Sequence, residues 1–224
     1  MFDIAGTTIK GQHNVQRILQ ETVMPYVGIV QQETMQQVMG WPKPKALQFL
    51  LAGGQTGSND YDAVFIEKIH QIFVDNMMAF FNKAGNLQEM EGATQVFETL
   101  HKYGIKVGLD TGFSRPIADV ILHNLAWTKL IDATVTSDEV TRGRPAADMI
   151  YNLMERLGVS EVPNVAKVGD AKADIEQGRN AGCGMVVGVT SGSSSEEEMR
   201  SYKPDYVLPS IKELPELLNR VMVG

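Results

Sequence analysis

Two carboxylates, a guanidinium and a hydroxyl stand at points in this sequence where apolar segments end. Asp3 and Asp170 offer hard oxygen ligands that suit Mg²⁺, which takes one or two carboxylates and leaves its other positions to water and phosphate. Arg144 carries a fixed fork of donors that matches a phosphoryl group. Thr111, followed by Gly112, adds a hydroxyl and the backbone N–H groups of a turn. Together these groups predict phosphoryl chemistry.

A carboxylate beside a metal ion can also act as a nucleophile, so Asp3 is a candidate for an aspartyl-phosphate intermediate. The sequence has no Gly-Lys-Ser/Thr loop, which excludes the nucleotide-cradling P-loop. Taken singly, Asp3 and Thr111 are more often turn residues, and Asp174 is more often a helix cap. Arg144 alone is more often a surface side chain. The joint occurrence of these residues in this order favours a catalytic site.

The elements that must position these groups alternate between helix and strand from residue 91 onward. Helices are predicted at 91–103, 116–126, 147–157, 174–181 and 214–221, and strands at 105–110, 133–136, 165–170, 185–189 and 206–208. Repeated βα units with apolar strands predict an α/β fold with a doubly wound parallel sheet. Such sheets bind ligands at the carboxyl ends of their strands, so we expect the polar groups to meet at one edge. The serine-rich stretch 191–198 predicts a flexible loop and an acidic helix start.

The region that precedes residue 91 has helical periodicity and almost no strand signal after its first residues. Helices are predicted at 14–26, 34–39, 44–51 and 60–83. The apolar segment 1–4 is short for a central strand, which is consistent with residues missing upstream. We predict an α/β core domain made of residues 1–10 and 90–224, with an all-helical domain of residues 11–89 inserted into it.

Composition narrows the class of protein. The 224 residues carry a net charge of −7, which argues against a general nucleic-acid surface. Cys183 is the only cysteine, so no intrachain disulfide forms and nothing marks an oxidising compartment. The sequence has neither a run of about 18 apolar residues nor a signal-peptide pattern. These features predict a cytoplasmic protein that binds neither nucleic acid nor membranes.

The ordered motifs DIAGTT, LDTG, GRP and VGDAKADIEQGRNAG resemble those of the haloacid dehalogenase superfamily of phosphohydrolases. The variant pattern is similar to that of the phosphonoacetaldehyde hydrolases, or phosphonatases. The last motif is long and specific, and the shorter ones are convincing only beside it. The resemblance implies a Rossmann-like core and a helical cap that closes over a small phosphorylated or phosphonate metabolite.

For the metal, the resemblance implies Mg²⁺ bound by three groups of this sequence and oriented by a fourth. Asp3 would be both the nucleophile and a ligand, together with the backbone carbonyl of Ala5. Asp170 would be a further metal ligand. Asp174 would orient the site without binding the metal itself.

For the phosphoryl group, the resemblance implies Thr111 and Gly112 as binding residues. Arg144 takes the place of the third-motif lysine that most members of the superfamily carry, as it does in phosphonatases. Thr111 and Arg144 are also predicted to act in catalysis.

Ala5 is informative because ordinary phosphatases of the superfamily have a second aspartate there, which protonates the leaving oxygen. Losing such a group costs on the order of 10²-fold to 10⁴-fold in rate. Phosphonatases also have alanine, because their leaving group is carbon and is activated by a cap lysine. That lysine follows a Met-Gly pair and forms a Schiff base with the substrate aldehyde. Lys43, after Met39 and Gly40, is the candidate in this chain.

Two positions depart from the phosphonatase pattern. Ala46 stands where those enzymes have a histidine that moves protons, and Phe113 stands where they have a tyrosine. Lys45 is a second candidate amine or a phosphate ligand. The alternatives are therefore a phosphatase of a small ester, or a non-catalytic regulatory protein that binds phosphate. The presence of both Asp3 and Asp170 disfavours the regulatory protein, and a homodimer through the cap helices is compatible with the resemblance.

Overall fold

The structure is a computed structural model that describes residues 1–55 and 61–223. Within these ranges the strands are β1 Gly108–Thr111, β2 Ala133–Thr136, β3 Ala166–Gly169, β4 Met185–Val189 and β5 Tyr206–Leu208. The α-helices are α1 Gln12–Val27, α2 Gln32–Gln37, α3 Lys43–Leu51, α4 Ala63–Asn82, α5 Ala93–Lys102, α6 Arg115–Asn124, α7 Asp148–Leu157, α8 Lys172–Ala181, α9 Glu196–Ser201 and α10 Leu214–Val223. Strands and helices alternate from α5 onward, as the sequence predicts.

The strands form one parallel sheet. β1 pairs with β2, β3 pairs with β4, and β4 pairs with β5, all in the parallel sense. Phe2 joins the two groups, because its backbone bridges Leu109 of β1 on one side and Val168 of β3 on the other. The spatial order is therefore β2, β1, Phe2, β3, β4, β5. The predicted α/β fold with a parallel sheet is confirmed.

Two predicted strands are shorter than expected. Of segment 1–4, Phe2 pairs as an isolated bridge, with its N–H 2.9 Å from the carbonyl oxygen of Gly108. The strand predicted at 105–110 begins only at Gly108. The backbone N–H of Val107 donates to Asp132 Oδ2 at 2.6 Å. It is therefore not available for a hydrogen bond to a neighbouring strand, and β1 begins one residue later.

The inserted helices follow from capping and apolar spacing. Helix α4 was predicted from residue 60, which lies outside the described residues, and it begins at Ala63 because the Asp62 side chain accepts a hydrogen bond from Phe65 N at 2.8 Å. Its buried face repeats at three- and four-residue spacing, as in an amphipathic helix. The buried apolar residues of that face are Ile66, Ile69, Phe73, Val74, Met77 and Phe81.

The chain leaves the sheet and returns to it at one place. Ile9 forms an antiparallel bridge with Glu89. On either side, Met90 N donates to Thr8 O at 2.7 Å and Lys10 N donates to the carbonyl of residue 88 at 2.9 Å. Helices α1 to α4 are therefore inserted between the Phe2 bridge and α5. The domain boundaries at residues 10 and 90 stay a prediction.

Aromatic packing fixes the Phe2 segment against the helices beside the sheet. The ring of Phe97 in α5 makes edge contacts with Phe2 at 5.4 Å and with Trp127 at 5.1 Å between ring centroids. All three side chains are buried. In the described part of the chain, no helix combines the length and the apolar character needed to cross a bilayer.

Candidate active site

A small cavity lies at the carboxyl ends of the strands, between the sheet and the inserted helices. Its lining includes Asp3, Ala5, Thr111 and Asp170 from the sheet side and Lys43 from α3. The cavity volume is about 20 Å³, which is room for about one water molecule. The expectation that polar groups meet at one sheet edge is therefore met, although the side chains are packed closely.

A tight turn presents Asp3 to this cavity. Gly6 has a φ of 94°, in the left-handed region that favours glycine. The turn closes because Thr8 N donates to Ile4 O at 2.9 Å. The Thr8 hydroxyl lies 3.1 Å from the carbonyl oxygens of both Asp3 and Ile4. The side chain of Asp3 is thus held just beyond the Phe2 bridge.

Asp3 is buried beside a cation. Its Oδ1 accepts a hydrogen bond from Arg144 Nη2 at 2.5 Å. Only 5% of Asp3 is exposed. Burial raises the pKa of Asp3 to about 7, with Arg144 opposing this shift and Asp174 and Asp170 adding to it. A cation bound at Asp3 would lower that pKa again, because positive charge favours the carboxylate.

Arg144 is fully buried and contacts three aspartates. Besides Asp3, its Nη1 lies 2.8 Å from Asp174 Oδ1, and its Nη2 lies 3.6 Å from Asp110 Oδ1 and donates to Asp110 O at 2.6 Å. Among the described residues, Arg144 Nε and Nη1 have no aligned hydrogen-bond acceptor. Nη1 is still paired by charge with Asp174, so Nε is the buried donor of Arg144 that no described residue accepts, which is costly unless an anionic ligand does so.

Donors on two loops orient Asp170. Its Oδ1 accepts from Thr7 Oγ1 at 2.8 Å, and its Oδ2 accepts from the backbone N and the hydroxyl of Ser193 at 2.8 and 2.9 Å. Gly192 permits this approach, since a Cβ there would lie 2.1 Å from Asp170 Oδ2. Burial and the nearby charge of Asp174 raise the pKa of Asp170.

Asp174 lies in the first turn of α8 and its Oδ2 accepts from Ala171 N at 3.2 Å, a capping contact. Oxygens of Asp3, Asp170 and Asp174 lie within 4.8 Å of one another. Hard carboxylate oxygens at this spacing fit a divalent cation such as Mg²⁺. Asp174 Oδ1 faces two cations, Arg144 Nη1 at 2.8 Å and Lys167 Nζ at 3.1 Å, and its Oδ2 caps α8, so Asp3 and Asp170 are the better placed ligands.

Thr111 and the glycine after it form the turn at the end of β1. Thr111 is 2% exposed, and its Oγ1 accepts a hydrogen bond from Phe113 N at 3.1 Å. A Cβ on Gly112 would lie 2.4 Å from the carbonyl oxygen of Trp41. The absence of a side chain at Gly112 is therefore what lets the inserted helical region approach the sheet here.

Lys43 is the first residue of α3 and is 4% exposed. Its Nζ lies 3.3 Å from Trp41 O and 5.4 Å from the centroid of the Phe113 ring. Burial lowers the pKa of Lys43 to about 8, although the charge of Asp3 opposes the shift. A buried amine with a lowered pKa is a nucleophile near neutral pH.

The two other cap positions singled out in the sequence lie elsewhere. Lys45 is exposed, and its Nζ lies 5.1 Å from the centroid of the Trp41 ring. Ala46 is fully buried in the hydrophobic core, on α3. Of the two candidate amines, Lys43 is the one that lines the cavity with Asp3.

Sequence reasoning missed three residues of this site. Ser193, which holds Asp170, lies in the stretch predicted to be a flexible loop, and its composition gave no other signal. Asp110 and Lys167 are fully buried within β1 and β3. Their signal was present, because each is a charged residue inside a strand predicted to be buried, and buried charges are paired.

Comparisons with known proteins identify relatives of this chain. Residues 1–188 match the haloacid dehalogenase-like hydrolase family. A phosphonoacetaldehyde hydrolase of Bacillus cereus (strain ZK / E33L) is 31% identical over 160 residues, which are 66% of this chain and 60% of that protein. The phosphonoacetaldehyde hydrolase of Bacillus cereus (strain ATCC 10987 / NRS 248) is 29% identical over 91% of this chain and 81% of its own length. The chain thus spans about three fifths of the first curated relatives it matches.

Among solved structures, a phosphonoacetaldehyde hydrolase-like protein of Oleispira antarctica superposes with a TM-score of 0.78. It is 24% identical in sequence, and the superposition covers 98% of this chain and 90% of that one. This likeness concerns the fold.

Proposed function

Because this chain belongs to the haloacid dehalogenase-like hydrolase family, we propose that it cleaves the carbon–phosphorus bond of a small phosphonate aldehyde, with Mg²⁺ as cofactor. One observation carries this proposal: the buried amine of Lys43, with its lowered pKa, lines the same cavity as Asp3. Ala5 supports it as well, since an ester substrate needs a proton donor that alanine does not provide. Two relatives named phosphonoacetaldehyde hydrolase support the substrate class.

The first step prepares the leaving group. The neutral amine of Lys43 adds to the aldehyde carbon, and uptake of one proton with loss of one water gives an iminium. The iminium withdraws electrons from the neighbouring carbon–phosphorus bond, so carbon can leave as a neutral enamine. Lys43 suits this step because its burial favours the uncharged form of the amine.

The second step transfers the phosphoryl group. A carboxylate oxygen of Asp3 bonds to phosphorus, the carbon–phosphorus bond breaks, and its electron pair forms the enamine. Arg144 and Thr111 would donate to the phosphoryl oxygens, where negative charge develops. A Mg²⁺ ion bound by Asp3 and Asp170 would add positive charge at the same oxygens.

Water completes the cycle. One water hydrolyses the aspartyl phosphate to inorganic phosphate and regenerates Asp3. The enamine takes a proton at carbon, and a second water hydrolyses the resulting iminium to release the phosphorus-free aldehyde, one proton and the neutral amine of Lys43. Since iminium formation released one water, the net reaction consumes one.

Substrate entry requires movement of the helical region. The cavity of about 20 Å³ holds no metabolite, and the Trp41 carbonyl lies directly over Gly112. Segment 39–43 must therefore move away for binding and return to bring Lys43 to the substrate. Such closure excludes water and often limits turnover.

The pH dependence of Lys43 labelling tests its lowered pKa. A lysine amine attacks an aldehyde only when uncharged, so labelling by acetaldehyde and cyanoborohydride should rise with pH and level off above about 8. Mass spectrometry of the peptides would report both Lys43 and the exposed Lys45, which serves as an internal control. A Lys43 profile that still rises steeply well above pH 9, in parallel with that of Lys45, would contradict the proposal.

The function itself is tested by trapping and by substrate choice. The protein with Mg²⁺ is incubated with phosphonoacetaldehyde or with an aryl phosphate, and parallel samples are reduced with borohydride. We expect phosphate release from phosphonoacetaldehyde and a reduced adduct at Lys43, which is absent in Lys43→Arg and retained in Lys45→Arg. Faster release from the aryl phosphate with no adduct would instead indicate a phosphatase. Phosphate binding without turnover of either compound would indicate a regulatory protein.

A further inference from the structure

A second buried cation lies behind the cavity. Lys167 of β3 is fully buried, and its Nζ contacts Asp110 Oδ1 of β1 and lies 3.1 Å from Asp174 Oδ1. The Lys167 side chain thus reaches across the position of Phe2, which separates β1 from β3. Burial alone would raise the pKa of Asp110, but the charges of Lys167 and Arg144 lower it below its usual value. Asp110 is therefore a carboxylate.

Lys167 and Arg144 share the same two carboxylates. Arg144 Nη1 lies 2.8 Å from Asp174 Oδ1, and Arg144 Nη2 lies 3.6 Å from Asp110 Oδ1. Two cations thus face two buried anions, and Arg144 also reaches Asp3. Both Asp110 and Asp174 consequently keep a neighbouring cation, Lys167, even when Arg144 turns toward another anion.

That balance matters because Arg144 donates to Asp3 at 2.5 Å in this structure. For Asp3 to attack phosphorus, the guanidinium must give up part of this contact and donate to the phosphoryl oxygens. If Arg144 were the only cation, the shift would leave Asp110 and Asp174 as uncompensated buried charges, which is strongly unfavourable. Lys167 lowers this cost, because its ammonium group stays in contact with both carboxylates.

Two glycines allow the close packing that positions Lys167 and Asp174. A Cβ on Gly178 of α8 would lie 3.0 Å from the Cβ of Lys167, so α8 packs directly on the lysine stem. A Cβ on Gly169 would lie 2.2 Å from the Asp174 side chain, so Asp174 approaches β3 only because that glycine has no side chain. The positions of Lys167 and Asp174 are therefore set by backbone packing.

We infer that Lys167, anchored by Asp110, is a positioning residue that balances the carboxylates around Arg144 and so lets Arg144 move from Asp3 to the phosphoryl group. This inference rests on the proposed function in its catalytic part. The effect of Lys167 on phosphate binding can be measured without turnover. This inference and the proposed function can therefore be disproved separately.

The test measures, by calorimetry, the affinity of the Mg²⁺-loaded protein for inorganic phosphate. It compares the wild type with Lys167→Met and with the double variant Asp110→Asn/Lys167→Met. Methionine keeps the length of the stem without its charge, and the double variant removes both charges together, which preserves folding if the single variant fails. We expect phosphate Kd to rise at least about tenfold in both, because among the described residues Asp174 then has only Arg144 as a neighbouring cation. If neither folds, Asp110→Asn, which removes one anion and keeps Lys167 beside Asp174, becomes the test: phosphate Kd should not rise, and a tenfold rise would overturn the inference.

The control is Leu153→Ala, a fully buried core change in α7 on a side chain outside the charged cluster. It should lower stability and leave phosphate Kd within about twofold of the wild type. Unchanged phosphate affinity in the Lys167 variants would overturn the inference, and so would an equal loss in Leu153→Ala. Labelling of Lys43 by acetaldehyde, which has no phosphoryl group, should persist in the Lys167 variants.

Discussion

Asp3→Asn is expected to abolish turnover, with a loss on the order of 10⁴-fold or more. The amide that replaces the carboxylate keeps its shape but has no oxygen anion to bond to phosphorus. The same change removes a proposed Mg²⁺ ligand, so both the aspartyl phosphate and tight metal binding should be lost. Steady-state phosphate release, together with mass spectrometry for a phosphorylated peptide, measures this outcome.

The loss should not come from unfolding. Burial raises the pKa of Asp3 to about 7, so the folded protein carries the charged carboxylate at an energetic cost above that pH. Asparagine has no charge, and the free energy of unfolding of Asp3→Asn in metal-free buffer at pH 8 should therefore not fall below that of the wild type. Turnover within tenfold of the wild type would show that Asp3 is not the nucleophile.

Arg144→Met should be the most destabilising single change at this site. It removes the cation that contacts Asp3, Asp110 and Asp174, all of them buried. Removing one partner of a buried ion pair costs about 3–5 kcal/mol, because the remaining charge stays uncompensated. Urea unfolding of the metal-free protein would measure the free energy of unfolding.

The sign of its pH dependence follows from Asp3. Since Arg144 lowers the pKa of Asp3 against the effect of burial, its removal raises that pKa further. A carboxyl group whose pKa is raised in the folded state destabilises the fold as pH rises through that value. The destabilisation in Arg144→Met should therefore be larger at pH 8 than at pH 5.

Arg142→Met is the matched control for this change. Arg142 lies two residues earlier and forms an ion pair with Asp148 at 2.8 Å, but its side chain is 74% exposed. Exposed pairs contribute little to stability because solvent screens them. We expect Arg142→Met to keep its stability and its activity. An equal loss in both variants would mean that this loop, and not the buried contact, determines the effect.

The predicted secondary structure is correct for segments in which apolar residues repeat regularly over a long stretch. The alternation of strands and helices after α5 and the inserted helices before it follow from periodicity. The errors fall at the first strand and at the start of β1. In both places a backbone group is paired by a residue distant in sequence, as Val107 is by Asp132, and local pattern holds no information on such contacts.

For the site, the sequence by itself determined which residues meet. Asp3, Thr111 and Asp170 each follow a segment read as a parallel strand, and the carboxyl ends of parallel strands lie at one edge of the sheet. It also singled out Lys43 and Lys45 as the two candidate amines of the inserted region. It did not determine which of the two would face Asp3.

Only the tertiary structure decided how the charges pair. Arg144 contacts Asp3 across 141 residues of sequence, and Lys167 contacts Asp110 across 57. Such pairs depend on the packing of α8 against β3 and on glycines that leave room for a side chain, as Gly169 does for Asp174. The order of the motifs specifies the chemistry available at the sheet edge. The buried charges must find partners among whatever the folded chain brings within a few ångströms, and that proximity arises only when the sheet and helices pack together.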